Sequence, residues 1–140
     1  MSVNRIAALD VGTARIGIAL SDNTQKIAMP HSTIHLKNTP DPIAEIVSLL
    51  RAEGITQIVV GWPLELDGTE GKAVRRTKQF IARFKQQYPE FRFKKQDERL
   101  TSVAAENALQ EMNTQGSDKK NHVDSMAASL ILQMYLDSLR

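Results

Sequence analysis

Residues 6–20 read Ile6-Ala-Ala-Leu-Asp10-Val-Gly12-Thr-Ala-Arg15-Ile-Gly17-Ile-Ala-Leu20. Two apolar runs flank a glycine turn far too short for a parallel crossover, which needs about a dozen residues or more. Ile6 to Asp10 therefore reads as a buried strand and Ile16 to Leu20 as its antiparallel partner. Gly12 and Gly17 bracket the turn. A third apolar stretch, Ile27 to Leu36, follows closely enough to extend the meander.

Beyond it the pattern changes. Asp41-Pro42 places an N-cap acid before a proline at the first helical position. Ile43, Ile46, Val47 and Leu50 then recur at helical spacing, and Gly54 supplies a C-terminal stop. Ile55 to Gly61 is a β-branched run read as a buried strand. Residues 62–71 are a loop with turn chemistry at Asp67-Gly68 and Gly71. A second helix is expected from Lys72 to about Tyr88, with Val74, Ile81, Phe84 and Tyr88 inward and Lys72, Arg75, Arg76 and Arg83 outward. Pro89 stops it. Phe91 to Glu98 is a further strand, Thr101 to Met112 a helix, and Val123 to Leu139 a last apolar helix after a polar stretch. Three antiparallel strands followed by parallel βαβ additions predict an α/β fold, a mixed five-stranded sheet with helices on both faces.

The 140 residues suit one domain over 1–140, and the absence of cysteine excludes disulfides, thiol nucleophiles and cysteine-ligated zinc. No signal-peptide zoning opens the chain and no apolar run reaches the ~20 residues needed to span a bilayer. A cytoplasmic protein with no membrane partner is the expectation. The formal charge is only +2, but residues 72–95 hold nine Lys or Arg against Glu90 alone. A basic block inside an otherwise acidic chain is either a footprint for phosphates or a solvated helix face.

Three carboxylates stand where structural acids are uncommon. Asp10 ends the first strand, Asp97-Glu98 ends the last, and Asp124 falls in the expected first turn of the final helix, whose inward face carries Ala128, Ile131 and Tyr135. An unpaired charge at the edge of an apolar element is costly. Each acid also has a plain structural reading: Asp10 capping the turn, Asp124 capping a helix with Asn121, Glu98 pairing with Arg99. If the acids converge, oxygen ligands without Cys or a His pair favour Mg²⁺ or Mn²⁺ over zinc. Two such ions about 3.5–4 Å apart activate a water and stabilise the leaving oxygen at a phosphodiester. Ser21, Thr101 and Ser102 have no adjacent His, so nucleophile-and-base chemistry lacks support. Trp62 either stacks on a base or packs on a helix, with packing slightly favoured. The Thr13 turn, with its run of backbone amides, can hold a phosphate but is not specific.

Four segments together resemble the YqgF type of Holliday junction resolvase-like proteins, described as pre-16S rRNA nucleases. Asp10-Val-Gly12-Thr-Ala-Arg15-Ile-Gly17 through Ser21-Asp22 is similar to the first motif, and Val-Val60-Gly61-Trp-Pro63 through Asp67-Gly68 to the second. Asp97-Glu98-Arg99-Leu100-Thr101-Ser102 is similar to the third, and Val123-Asp124-Ser-Met-Ala127-Ala128 with Leu132-Gln133 to the fourth. The resemblance runs from about Arg5 to Leu136. It implies a ribonuclease H-like fold and a divalent-metal nuclease with Asp10, Glu98 and Asp124 as catalytic acids and ligands of one or two ions. Asp97 is the alternative within its pair. Arg15 and Arg99 would orient phosphate oxygens, and Lys72, Arg75, Arg76 and Arg83 would hold the nucleic-acid backbone. The implied role is 5′-end maturation of precursor 16S rRNA in the cytoplasm, with branched DNA as the alternative substrate, by a monomer or homodimer. Two other classes stay open on the residues: a nucleotide hydrolase, from the likeness of Asp10-x-Gly-Thr13 to the first phosphate loop of sugar-kinase ATPases, and a non-catalytic RNA-binding assembly factor.

Overall fold

The computed structural model describes residues 5–98 and 116–139, with side chains of the second segment from Val123 onward. Its elements are β1 (Ala7–Val11), β2 (Arg15–Ser21), β3 (Ala28–His35), α1 (Pro42–Ala52), β4 (Gln57–Trp62), α2 (Lys72–Gln87), β5 (Arg92–Asp97) and α3 (Gly116–Ser138). The strands lie in the order β3-β2-β1-β4-β5. β1, β2 and β3 pair antiparallel, and β4 and β5 are added parallel to β1. The mixed five-stranded sheet expected from the sequence is therefore the one observed. Arg99 and the helix expected over 101–112 lie outside the described residues.

Local chemistry accounts for the joints. The Gly12 amide donates to the Arg15 carbonyl at 2.9 Å and closes the β1–β2 turn. Ser21 is consumed structurally: its buried hydroxyl accepts from the Ile6 amide at 2.8 Å. Asp41 caps α1 by accepting from the Ala44 amide at 3.1 Å, Pro42 occupies the first turn, and Gly54, at φ +69°, ends the segment.

Each face of the sheet has its own core. α1 and α2 cover Leu9, Val11, Ile16, Ile18, Ile58 and Val60. There Phe84 is fully buried, with Phe80, Tyr88, Phe91 and Phe93 edge-on around it at centroid separations of 5.1–6.2 Å. α3 covers the opposite face, where Ala8, Ala19 and Val59 meet Ala128, Ile131, Leu132 and Leu136. Period-two alternation along β1 thus sends Leu9 and Val11 one way and Ala8 and Asp10 the other. Small residues on the α3 side let that helix ride close to the strands.

One boundary differs from expectation. α3 begins at Gly116 rather than Val123, so Asp124 sits more than two turns inside the helix and caps nothing. Residues 117–122 are polar but contain no proline, and lysine is a good helix former, so polarity there does not stop a helix.

Candidate active site

The acids are brought together by what is missing from two positions. Asp10 pairs with Gly17 across the β1–β2 ladder. A Cβ on Gly17 would land on the Asp124 carbonyl oxygen, so α3 crosses β2 with its backbone against the strand. That crossing carries Asp124 to Asp10, and the Asp124 charge raises the Asp10 pKa. On the other side, the Glu98 amide donates to the Trp62 carbonyl at 3.3 Å and extends the β4–β5 register one residue past Trp62–Asp97. A Cβ on Gly61 would overlap the Glu98 carboxylate and the Ile131 side chain. Glu98 therefore lies over Gly61 on the α3 face. Asp97, one residue earlier, has the parity of Phe93, which packs with the α1/α2 core. Of the two acids in that pair, Glu98 is the one that hydrogen-bonds Asp10.

Two carboxyl groups in hydrogen-bond contact cannot both ionise without a cation between them. Burial is the largest influence on each. Glu98 is pushed up to about 8 by burial and then by the Asp10 charge and hydrogen bond, against a weaker pull from Arg76. Asp10 is raised by burial and by Asp124, with the Glu98 hydrogen bond and Arg76 opposing. With its value pushed to about 8, Glu98 keeps its proton at neutral pH.

Three arginine positions of the expected set differ in their surroundings. Nε of Arg15 donates to Asp124 in a close, partly exposed ion pair. Arg76 does not point away from the protein as the helical pattern suggested: its charge acts on both Asp10 and Glu98. Its Nε is buried, with no hydrogen-bond partner among the described residues. Arg76 lies between the buried Val74 and Thr77 on α2, at the border of the core stripe, and is only partly exposed. Arg83 is exposed and, with Arg76, lines a cavity against the Thr13 turn. Lys72 and Arg75 are exposed at the start of α2, and Thr13 is exposed on its turn. Trp62 is 6% exposed and its ring is capped by the Lys95 ammonium, 4.4 Å from the centroid. Its Nε1 donates to Glu70 at 3.3 Å, and Glu70 also accepts from Lys78 at 2.9 Å. This ring is packed and covered, not an open stacking platform.

The donor set suits a hard divalent cation. Asp10 and Glu98 offer adjacent carboxylate oxygens whose shared proton a cation would replace. Among the described residues no group of three His, Asp or Glu side chains is already gathered around one point. Asp124, the third acid, is engaged by Arg15. Sequence reasoning passed over Gln79, Phe80 and Gln87, which share the cavity wall with Arg76 and Arg83. They lie three, four and eleven residues after Arg76, on one face of α2, and that spacing was the signal that could have found them.

A family model described as RuvX, Holliday junction resolvase, matches residues 4–138. A protein of Chloroflexus aurantiacus named "Putative pre-16S rRNA nuclease" is 41% identical over 137 residues, covering 96% of this chain and 88% of that one. One of the same name from Ruminiclostridium cellulolyticum is 38% identical over 139 residues, covering 96% and 95%. Among solved structures, Thermus thermophilus RuvC in complex with a Holliday junction substrate superposes with a TM-score of 0.54 at 13% identity, covering 96% of this chain and 94% of that one. At that identity the likeness speaks to the ribonuclease H-like fold.

Proposed function

This chain belongs to the RuvX Holliday junction resolvase family, and we propose that it is a divalent-metal-dependent nuclease acting in 5′-end maturation of precursor 16S rRNA. It is a hydrolase of phosphodiester bonds. The observation that carries the metal-dependent reading is the Asp10–Glu98 carboxyl pair, proton-sharing and half-enclosed at the strand ends, with Asp124 crossing above it.

Asp10 and Glu98 would hold Mg²⁺ or Mn²⁺, with Asp124 joining them on exchange of its Arg15 partner for a substrate phosphate. The ion, when bound, supplies Lewis-acid stabilisation of the phosphoryl oxygens and a readily deprotonated water. The chain's own groups do the rest. Loss of the shared proton turns Glu98 and Asp10 into the paired anions the cation requires. Arg15, paired with Asp124, and Arg76, whose charge acts on Asp10 and Glu98, would take the non-bridging oxygens of the scissile phosphate. Lys72, Arg75 and Arg83 hold the flanking backbone through charge, giving affinity without sequence reading. The relatives' name supports precursor rRNA, whereas the family's description supports branched DNA.

The test runs end-labelled precursor 16S rRNA and a four-way DNA junction beside each other with Mg²⁺ or Mn²⁺. Wild type should cut the RNA, and Asp10→Asn and Asp124→Asn should not. Cutting of the junction alone would move the substrate to branched DNA. Binding without cutting, equal in all three proteins, would overturn catalysis in favour of an assembly role.

A further inference from the structure

Beside the acids, on the other face of the sheet, lies a cavity of about 290 Å³ between the β1–β2 turn, the start of α1 and one face of α2. We propose that this cavity receives one unpaired nucleotide of the substrate strand, next to the scissile phosphate. The inference rests on the nuclease reading above and adds a subsite to it.

Shape and chemistry agree. The volume is near the lower bound of small-molecule sites, about 300 Å³, which accommodates one base and sugar but not a base pair. Pro40, Pro42, Ile43 and Phe80 provide apolar wall for a flat ring, the surface against which unstacked bases are held. Gln79 and Gln87 add amides that both donate and accept, as a base edge requires. Arg76 and Arg83, seven residues apart on one face of α2, give the same cavity a cationic rim.

Arg76 makes the link to catalysis. It lines the cavity while its charge acts on Asp10 and Glu98. The Arg76 side chain thus stands at both places, with its Nε buried and without a hydrogen-bond partner among the described residues. A nucleotide 5′-phosphate would pair with the Arg76 guanidinium where it lines the cavity, with its base directed away from the acids along the α2 stripe. Such a subsite makes the enzyme select a single-stranded residue beside the cut, because a paired base cannot leave its stack without cost.

The experiment titrates adenosine 5′-monophosphate, uridine 5′-monophosphate, adenosine and inorganic phosphate into full-length protein in EDTA, followed by ¹H–¹⁵N chemical shifts. Either monophosphate should move the amides of Gly12, Thr13, Gln79 and Arg83. Adenosine and phosphate should each bind at least about tenfold more weakly. Arg83→Gln, an exposed change with an unaltered melting temperature, should weaken the monophosphate about tenfold, the scale of one charge-assisted hydrogen bond. Equal shifts from phosphate alone would reduce the cavity to an anion site and overturn the proposal. So would silence at these amides in a preparation that still cleaves, which leaves the nuclease reading intact. Monophosphate binding in a preparation that cleaves nothing would sustain the subsite and count against the nuclease.

Discussion

Replacing Glu98 by Gln should stabilise the metal-free protein while abolishing cleavage, and the gain should depend on pH in a defined way. Glu98 titrates near 8 in the folded chain against an ordinary value of 4.5. A group whose folded pKa is raised leaves stability intact below 4.5, and removes it as the pH climbs towards about 8. Each pH unit inside that window costs up to about 1.4 kcal/mol. Glu98 is only partly buried. With solvent screening allowed for, the total is on the order of 2–3 kcal/mol. Asp10, also raised, contributes with the same sign. The substituted amide keeps a donor for Asp10 but never ionises, so the penalty disappears. Urea melts at half-unit steps from pH 5 to 9 measure it. The two proteins should be nearly equal at pH 5 and differ by about 2–3 kcal/mol at pH 8.5, or about 8 °C in Tm. Glu70 and Glu90, whose pKa values are lowered by their Lys78 and Arg51 partners, bend both curves alike and cancel in the difference. Saturating Mg²⁺ should close the gap from the wild-type side, because the ionised pair then has its counter-charge. A difference curve that is flat across the range would refute the shared-proton account.

Further outcomes follow from other contacts. Gly17→Ala should cost about 1–3 kcal/mol or more by overpacking against the α3 backbone, and cleavage measured well below the melt should fall as Asp124 is pushed away from Asp10. Arg15→Gln should change stability by less than about 1 kcal/mol, since its ion pair is partly exposed, yet reduce cleavage by a larger factor. Asp41→Ala should lose about 1 kcal/mol in urea, because its carboxylate caps α1. Removing Lys72 and Arg75 should lower the slope of log affinity against log salt by about one for each charge.

Most of the frame was readable because local rules and topology agreed. The Gly12 turn admits only a hairpin, Asp41-Pro42 and Gly54 bound α1, and apolar recurrence sets the buried side of α2. The acids were visible for a related reason, as charges at the ends of apolar runs. What stayed hidden was spatial. Whether Asp97 or Glu98 enters the site depends on strand parity at β5, which the register with Trp62 decides. Helical periodicity separates core from outside, and Arg76, beside the buried Val74 and Thr77, sits on the border between them. The start of α3 was misplaced because a polar segment without proline carries no stop signal. The cavity is assembled from three elements distant in sequence, so no single window contains it.

The same geometry explains why the site is built on glycine and alanine. The sheet buries large β-branched and aliphatic residues towards α1 and α2, where packing alone matters. Towards α3 it presents Ala8, Ala19, Gly17 and Gly61, which forfeit buried apolar area on that face. The lost area is offset by nearness: only a bare strand lets the α3 backbone reach Gly17 and the Glu98 carboxylate lie over Gly61. A side chain at either glycine would clash with the α3 backbone or the Glu98 carboxylate and force the acids apart. Separation would remove the Asp10 charge and hydrogen bond that add to burial in raising Glu98, and with them part of the demand for a cation. A variant selected for stability alone should therefore change Glu98 first, keep both glycines, and lose cleavage before it loses its fold.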